Sequence, residues 1–137
     1  MSRLLLEVYR SVGRAAGGAL SQAGGPEVTP AAWRLLVRLG PEGARAAALA
    51  RELGMSRQAS GQLVADLERA GYVERKQDPQ DGRARKVRLT SSGETLVREG
   101  RTALETLEAR WAERLGRARF RALRQTLQEL EKVAAGD

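Results

Sequence analysis

The chain has 137 residues, of which 42% are hydrophobic, and its 24 basic and 17 acidic residues give a formal net charge of +7. This length predicts one domain, and the basic excess is compatible with a polyanionic partner or with a solvated, Arg-rich surface. Because the chain has no His and no Cys, we expect no enzyme active site, no metal site and no cofactor.

The N-terminal segment, residues 3–22, is predicted to be an amphipathic helix. Its apolar run Leu4–Leu6 ends at Glu7, too early for a secretion signal, and no run approaches the ~20 apolar residues of a membrane span, so a cytoplasmic protein is expected. Gly13, Gly17 and Gly18 weaken this helix. They either allow another helix to approach closely or are simply tolerated.

The next segments are short. Residues 23–27 are predicted to form a loop, and Thr29 followed by Pro30 predicts a capped helix start. Residues 40–43 read as a turn.

Residues 46–53 predict a short helix that Gly54 ends, and Ser56 is placed to cap a second helix that runs to about Ala70. At ~100° per residue, one face of the second helix is expected to reach the core through Ala59, Leu63, Leu67 and Ala70. The opposite face carries Arg57, Gln58, Gly61, Gln62, Ala65 and Arg69.

Long hydrogen-bonding side chains separated by small residues suit a groove of DNA, because Arg can pair with a guanine edge and Gln with an adenine edge. Ordinary solvated helix surface is the alternative. The residues expected nearest to base edges and phosphates lie early in the second helix: Ser56, Arg57, Gln58, Ser60, Gly61 and Gln62.

A β-hairpin is predicted next, with strands over residues 72–77 and 86–90 and a turn at Asp81-Gly82. Four cations lie within six residues without an acid among them: Arg83, Arg85, Lys86 and Arg88. Such a hairpin suits a phosphate backbone or a narrow minor groove.

The C-terminal third predicts two amphipathic helices. Ser91 and Glu94 form a Ser-x-x-Glu capping box at the start of a long helix, and Gly116 is expected to separate it from the last one. Together with residues 3–22, these helices carry more apolar surface than a small core can cover, which indicates a partner surface. Packing within one chain is the alternative.

Three stretches, residues 56–59, 63–75 and 78–90, together resemble the multiple-antibiotic-resistance regulator (MarR) family. The resemblance implies a mainly α protein with a small antiparallel β-hairpin, a winged helix-turn-helix with N- and C-terminal dimerisation helices. It also implies a short strand at residues 44–46 beside the hairpin. The expected organisation is a single domain of residues 1–137. Its winged helix-turn-helix lobe covers about residues 28–90, and its helical dimerisation lobe is built from residues 3–22 and 91–135.

By the same resemblance, the protein is expected to be a sequence-specific regulator of transcription that binds double-stranded DNA. It is expected to act as a homodimeric repressor on a pseudo-palindromic operator, with the second helix in the major groove. Arg83 would reach the minor groove, Arg85 would lie near the backbone, and Asp81 would steady an arginine.

The resemblance further implies a small, often aromatic effector that lowers the affinity for DNA. The candidate cleft residues are Tyr9, Trp33 and Trp111, although aromatic residues at helical spacing more often belong to a core. Gly61-Gln62 stands where many relatives carry Ser or Thr followed by Arg, so base preference is expected to differ. Two other interpretations remain open: a winged-helix protein-interaction module and a nonspecific DNA-coating protein.

Overall fold

The structure is a computed structural model that describes residues 1–21 and 28–136; the loop predicted over residues 23–27 lies outside them. Over the described residues the chain is mainly helical with one small sheet. The helices are α1 (Ser2–Ser21), α2 (Pro30–Arg38), α3 (Ala46–Glu52), α4 (Arg57–Arg69), α5 (Ser91–Leu115) and α6 (Arg117–Gly136), and the strands are β1 (Ala44–Arg45), β2 (Val73–Asp78) and β3 (Asp81–Leu89).

Local signals fix most helix ends. The Thr29 hydroxyl accepts a hydrogen bond from the backbone N–H of Ala32 at 3.2 Å, and Pro30 is the first residue of α2, as predicted. Gly116 separates α5 from α6 with a φ of +85°, a conformation that residues with a Cβ rarely adopt. These predictions are confirmed.

The cap of α5 differs from the prediction by one residue. The Thr90 hydroxyl, not that of Ser91, accepts a hydrogen bond from the N–H of Gly93 at 3.1 Å. The same hydroxyl donates to the carbonyl of Gly71 at 2.6 Å. The prediction of Ser91 as the cap is therefore wrong, because Thr90 leaves the sheet with its side chain already beside the first turn of α5.

The three strands form an antiparallel sheet in the order β1-β3-β2. In β1, Ala44 pairs with Val87, which confirms the short strand expected there over two of its three residues. In β2, Val73 pairs with Leu89, and the ladder continues to the far end of the hairpin. The sheet thus joins the hairpin to β1, which directly precedes the helix-turn-helix formed by α3 and α4.

The chain divides into two compact units, Met1–Ala103 and Leu104–Asp137. The core of the first unit contains the side chains that are most completely buried: Leu35, Leu36, Leu49, Val64 and Val73. Two glycines allow close packing there, since a Cβ at Gly13 would lie 3.2 Å from the ring of Pro30 and a Cβ at Gly100 would overlap the ring of Trp33. The close-approach interpretation of Gly13 is therefore the correct one.

The second unit contains the end of α5 and all of α6. The apolar residues of α6 remain largely exposed: Leu123, Leu127, Leu130 and Val133. α1 is similarly exposed at Leu4, Leu5, Leu6, Val8 and Tyr9. An exposed apolar stripe on a described helix is therefore present in each unit.

Candidate nucleic-acid interface

Helix α4 presents most of the expected reading surface. The Ser56 hydroxyl accepts the N–H of Ala59 at 3.1 Å and caps the helix, while Arg57, Gln58 and Gln62 are exposed. A Cβ at Gly61 would meet nothing within 4 Å apart from its own helix backbone, so the surface there is open. Long polar side chains consequently flank a shallow surface, which is the shape needed to approach base edges.

Ser60 does not belong to this surface, and its predicted DNA contact is wrong. Its side chain is only 1% exposed, and Ser60, Val64 and Leu67 are the buried residues of α4. Ala59, expected in the core, is exposed instead. The core-facing side is rotated by about one residue relative to the prediction, because α4 packs through Val64 rather than through Leu63.

The far end of the wing hairpin is built around Pro79 and Gln80. These two residues form the turn, and Asp78 pairs with Asp81 across it, with a β-bulge between Gln77 and Asp78. The predicted turn at Asp81-Gly82 is therefore wrong, and β3 begins already at Asp81. Pro fixes the φ angle that a turn needs at its second position, and this preference outweighs the Asp-Gly signal.

A buried carboxylate holds the hairpin together. Asp78 is 2% exposed and accepts hydrogen bonds from Nε and Nη2 of Arg45 at 3.2 and 2.9 Å and from the N–H of Gln80 at 3.0 Å. Nζ of Lys86 lies 3.7 Å away. The hydrogen bond from Gln80, followed by that from Arg45, lowers the pKa of Asp78, and Asp78 in turn raises the pKa of Arg45. We call Arg45, Asp78, Gln80 and Lys86 the wing clamp.

Asp81 supports the same clamp, as expected for an acid in this position. Its carboxylate accepts the backbone N–H of Arg83 at 3.2 Å and lies 3.3 Å from Nη2 of Arg45. The arginine that it steadies by its side chain is therefore Arg45 of β1. Sequence reasoning missed Arg45 and Asp78, because they lie 33 positions apart and pair only once β1 joins the sheet.

Arg83 and Arg85 project from the hairpin without a compensating acid. Both are exposed, and in the described part of the chain neither forms a salt bridge. Arg57 on α4 is also exposed, and among the same residues it forms no salt bridge. Two elements of the first unit thus offer uncompensated guanidinium groups, the groups that bind phosphates and guanine edges.

The three aromatic residues considered for an effector cleft lie in different surroundings. Trp33 is 9% exposed and packs against Gly100, so it is a core residue. Tyr9 is 46% exposed on α1. Trp111 is half-buried within the second unit. The structure therefore assigns a packing role to Trp33, the commoner role for such a residue.

Neither a membrane helix nor a metal-binding cluster occurs in the described residues. No helix among residues 1–21 and 28–136 is both long and apolar enough to span a bilayer. Over the same ranges, no three carboxylates come together in a way that could hold a metal ion. The side chains assembled by α4 and the wing are suited to binding anions.

Comparison with known proteins gives a consistent result. The sequence model described as the MarR family matches residues 27–84. No curated protein sequence matches the chain.

Three solved structures illustrate the similarity. A MarR-family transcriptional regulator from Rhodococcus sp. RHA1 is 26% identical, with a TM-score of 0.70, and the match covers 93% of this chain and 90% of that one. CouR from Rhodococcus jostii RHA1, bound to p-coumaroyl-CoA, is 27% identical, with coverages of 93% and 88% and a TM-score of 0.69. The transcriptional repressor CouR bound to a 23-mer DNA duplex is 25% identical, with coverages of 96% and 92% and a TM-score of 0.76.

Proposed function

Because this chain belongs to the MarR family of transcription regulators, we propose that it represses transcription as a homodimer on a pseudo-palindromic operator. The N-terminal part of α4 lies in the major groove, and the wing reaches the adjacent minor groove through Arg83. Two copies related by a two-fold axis read two half-sites about one helical turn apart. MarR-family regulators are generally not enzymes, and we assign no catalytic role to this chain.

The observation that carries this proposal is the distribution of charge on α4 and the wing. Arg45 and Lys86 have Asp78 as their acidic partner, whereas Arg83 and Arg85 are exposed and uncompensated among the described residues. A polyanion approaching this side therefore meets two guanidinium groups that form no salt bridge among the described residues. Each phosphate neutralised in this way releases counterions and raises affinity.

Dimerisation is supported by exposed apolar surface. Leu123, Leu127 and Leu130 recur on one face of α6, each more than 40% exposed, and α1 carries exposed leucines of its own. Water-exposed stripes of this length are typical of partner surfaces. A second copy of the same helices covers these stripes and fixes the distance between the α4 helices of the two copies.

A small aromatic effector is the proposed signal. The repressor CouR has been solved both with DNA and with p-coumaroyl-CoA, which supports regulation by a ligand here too. Of the three candidate aromatic residues, Tyr9 is exposed and Trp111 is half-buried, so each has surface for such a ligand, whereas Trp33 of α2 belongs to the core. An effector lowers DNA affinity only if it binds the DNA-incompetent state more tightly. The proposed location is the cytoplasm, where the regulator meets its DNA.

Fluorescence anisotropy with labelled duplexes from the chain's own upstream region tests this function. The wild-type protein is expected to bind one such duplex at least ~10³-fold more tightly than unrelated DNA. Arg83→Ala should weaken binding strongly, whereas Arg10→Ala on α1 serves as a charge-matched control and should not. Equal affinity for all duplexes would instead indicate nonspecific coating, and no binding would favour a protein-interaction module.

A further inference from the structure

The two faces of the wing hairpin differ in charge compensation. Residues that pair directly across antiparallel strands share a face, so Gln77 and Arg85 lie on one face, and Lys76 and Lys86 lie on the other. Arg75 belongs to the first face because it pairs with the buried Val87. The sequence pattern of four cations within six residues does not reveal which of them have acidic partners.

The first face contains a cavity of about 450 Å³ that we call the wing notch. Its walls are formed by Arg75, Gln77, Gly82, Arg83, Ala84 and Arg85. Three arginines and one glutamine therefore line this space together with two small residues, a glycine and an alanine. No carboxylate lines this cavity.

On the opposite face most cations already contact a carboxylate; Arg88, which pairs with Glu74, instead donates to the carbonyl of Pro41 at 3.2 Å. Nζ of Lys76 lies 2.8 Å from a carboxylate oxygen of Glu74, and Lys86 and Arg45 share the buried Asp78. The single ammonium of Lys76 is already in contact with a carboxylate, whereas Arg75 contacts Glu68 only through Nε and keeps its two terminal nitrogens for an anion. The side that contains the notch carries Arg83 and Arg85, which form no salt bridge among the described residues, and it is the side that we consider for a polyanion.

Two contacts hold the inner wall of the notch in place. Nε of Arg75 lies 3.4 Å from Oε2 of Glu68 on α4, a contact that does not use the two terminal nitrogens of the guanidinium. Nε2 of Gln77 donates to the carbonyl of Gly82 at 2.5 Å across the hairpin. Both side chains are thus positioned by the fold before any ligand arrives, which lowers the entropy cost of binding.

We propose that the wing notch binds one phosphate of the DNA backbone, with Arg75 and Gln77 as contacts in addition to Arg85. This inference rests on the proposed DNA-binding function and extends it to the α4-facing side of the wing. A phosphodiester fits the chemistry, since guanidinium groups donate paired hydrogen bonds to phosphate oxygens. The contact adds affinity for any duplex and carries no base preference.

The test is the salt dependence of duplex affinity, measured by anisotropy on the full-length protein with its upstream duplex and with an unrelated one. Arg75→Ala should reduce the slope of log K against log salt by about one per notch. At ~0.15 M salt this corresponds to about a fivefold loss of affinity per notch, equal for both duplexes. Gln77→Glu, which places a carboxylate in the notch, should weaken both duplexes as well.

Lys76→Ala is the matched control, because it removes one cation from the same strand and also leaves one glutamate without its partner. It should keep the wild-type slope. The double variant Glu68→Gln/Arg75→Ala removes the glutamate that Arg75→Ala leaves behind, and it should keep the reduced slope. Circular dichroism and thermal melting establish that each variant is folded.

Three results would contradict phosphate binding by the wing notch. They are a wild-type salt slope for Arg75→Ala, equal losses of duplex affinity for Arg75→Ala and Lys76→Ala, or full recovery of affinity in the double variant. Recovery would mean that the loss came from an exposed Glu68 and not from a missing phosphate contact. If the wild-type protein bound neither duplex, the proposed function itself would fail. If the wild-type protein binds and the Arg83→Ala variant does not, the proposed function stands. The salt slope of Arg75→Ala then decides whether the notch binds a phosphate.

Discussion

Replacing Ser60 should change the stability of the protein without changing its affinity for DNA. Its hydroxyl is buried in α4, and its oxygen has no hydrogen-bond partner in the described structure. Leaving a buried hydroxyl unsatisfied costs about 1–3 kcal/mol, and Ala is favoured over Ser inside a helix by about 0.5 kcal/mol. Ser60→Ala should therefore stabilise the protein by about 1–2 kcal/mol, after allowance for the small space left behind.

Thermal unfolding followed by circular dichroism measures this effect, and a gain of that size corresponds to about 3–6 °C for a chain of this length. The affinity for duplex DNA should not change, because Ser60 does not reach the surface. Ser56→Ala is the contrasting variant, since it removes the cap of the same helix and should cost about 1 kcal/mol. A destabilised Ser60→Ala protein, or one that lost DNA affinity, would refute the burial of Ser60.

Three further predictions concern the clamp, the core and the dimer. Asp78→Asn should loosen the wing and weaken duplex binding in anisotropy. Because the pKa of Asp78 is lowered in the folded protein, it lies below the value of about 3.9 in the unfolded chain. The wing clamp should therefore persist from pH 7 to 5 and be lost only as the pH falls through the folded pKa. In Gly100→Val the new side chain should overlap Trp33 and lower the free energy of unfolding by about 1–3 kcal/mol. Gly18→Ala on α1 is the control, because a Cβ there would meet nothing within 4 Å, and it should not lower the free energy of unfolding. Leu127→Glu on the exposed face of α6 should give monomers in sedimentation velocity, and an unchanged dimer would exclude that face.

Features that depend on a few neighbouring residues could be predicted from the sequence. The cap at Thr29 and the break at Gly116 follow from backbone preferences that act within one turn, and both occur where the pattern placed them. The element order also followed from the pattern, because each helix carries its own period.

Features that depend on tertiary contacts could not be predicted. The rotation of α4 that buries Ser60 depends on how Val64 packs, and the pattern of small residues in this helix leaves its orientation ambiguous by one position. The wing clamp joins Arg45 to Asp78 across 33 positions, so no local signal marks it. An acid directly before Pro79, at the end of β2, is the hint that the sequence contains.

The most direct test of the account is a footprint of the purified protein on its own upstream DNA. We predict two protected half-sites on one face of the duplex, with their centres about 10–10.5 base pairs, or a multiple of that, apart. Hypersensitive or protected minor-groove positions should lie outside these half-sites and disappear with Arg83→Ala. A single protected half-site, or a footprint that Arg83→Ala leaves unchanged, would contradict a dimer that reads DNA with α4 and the wing.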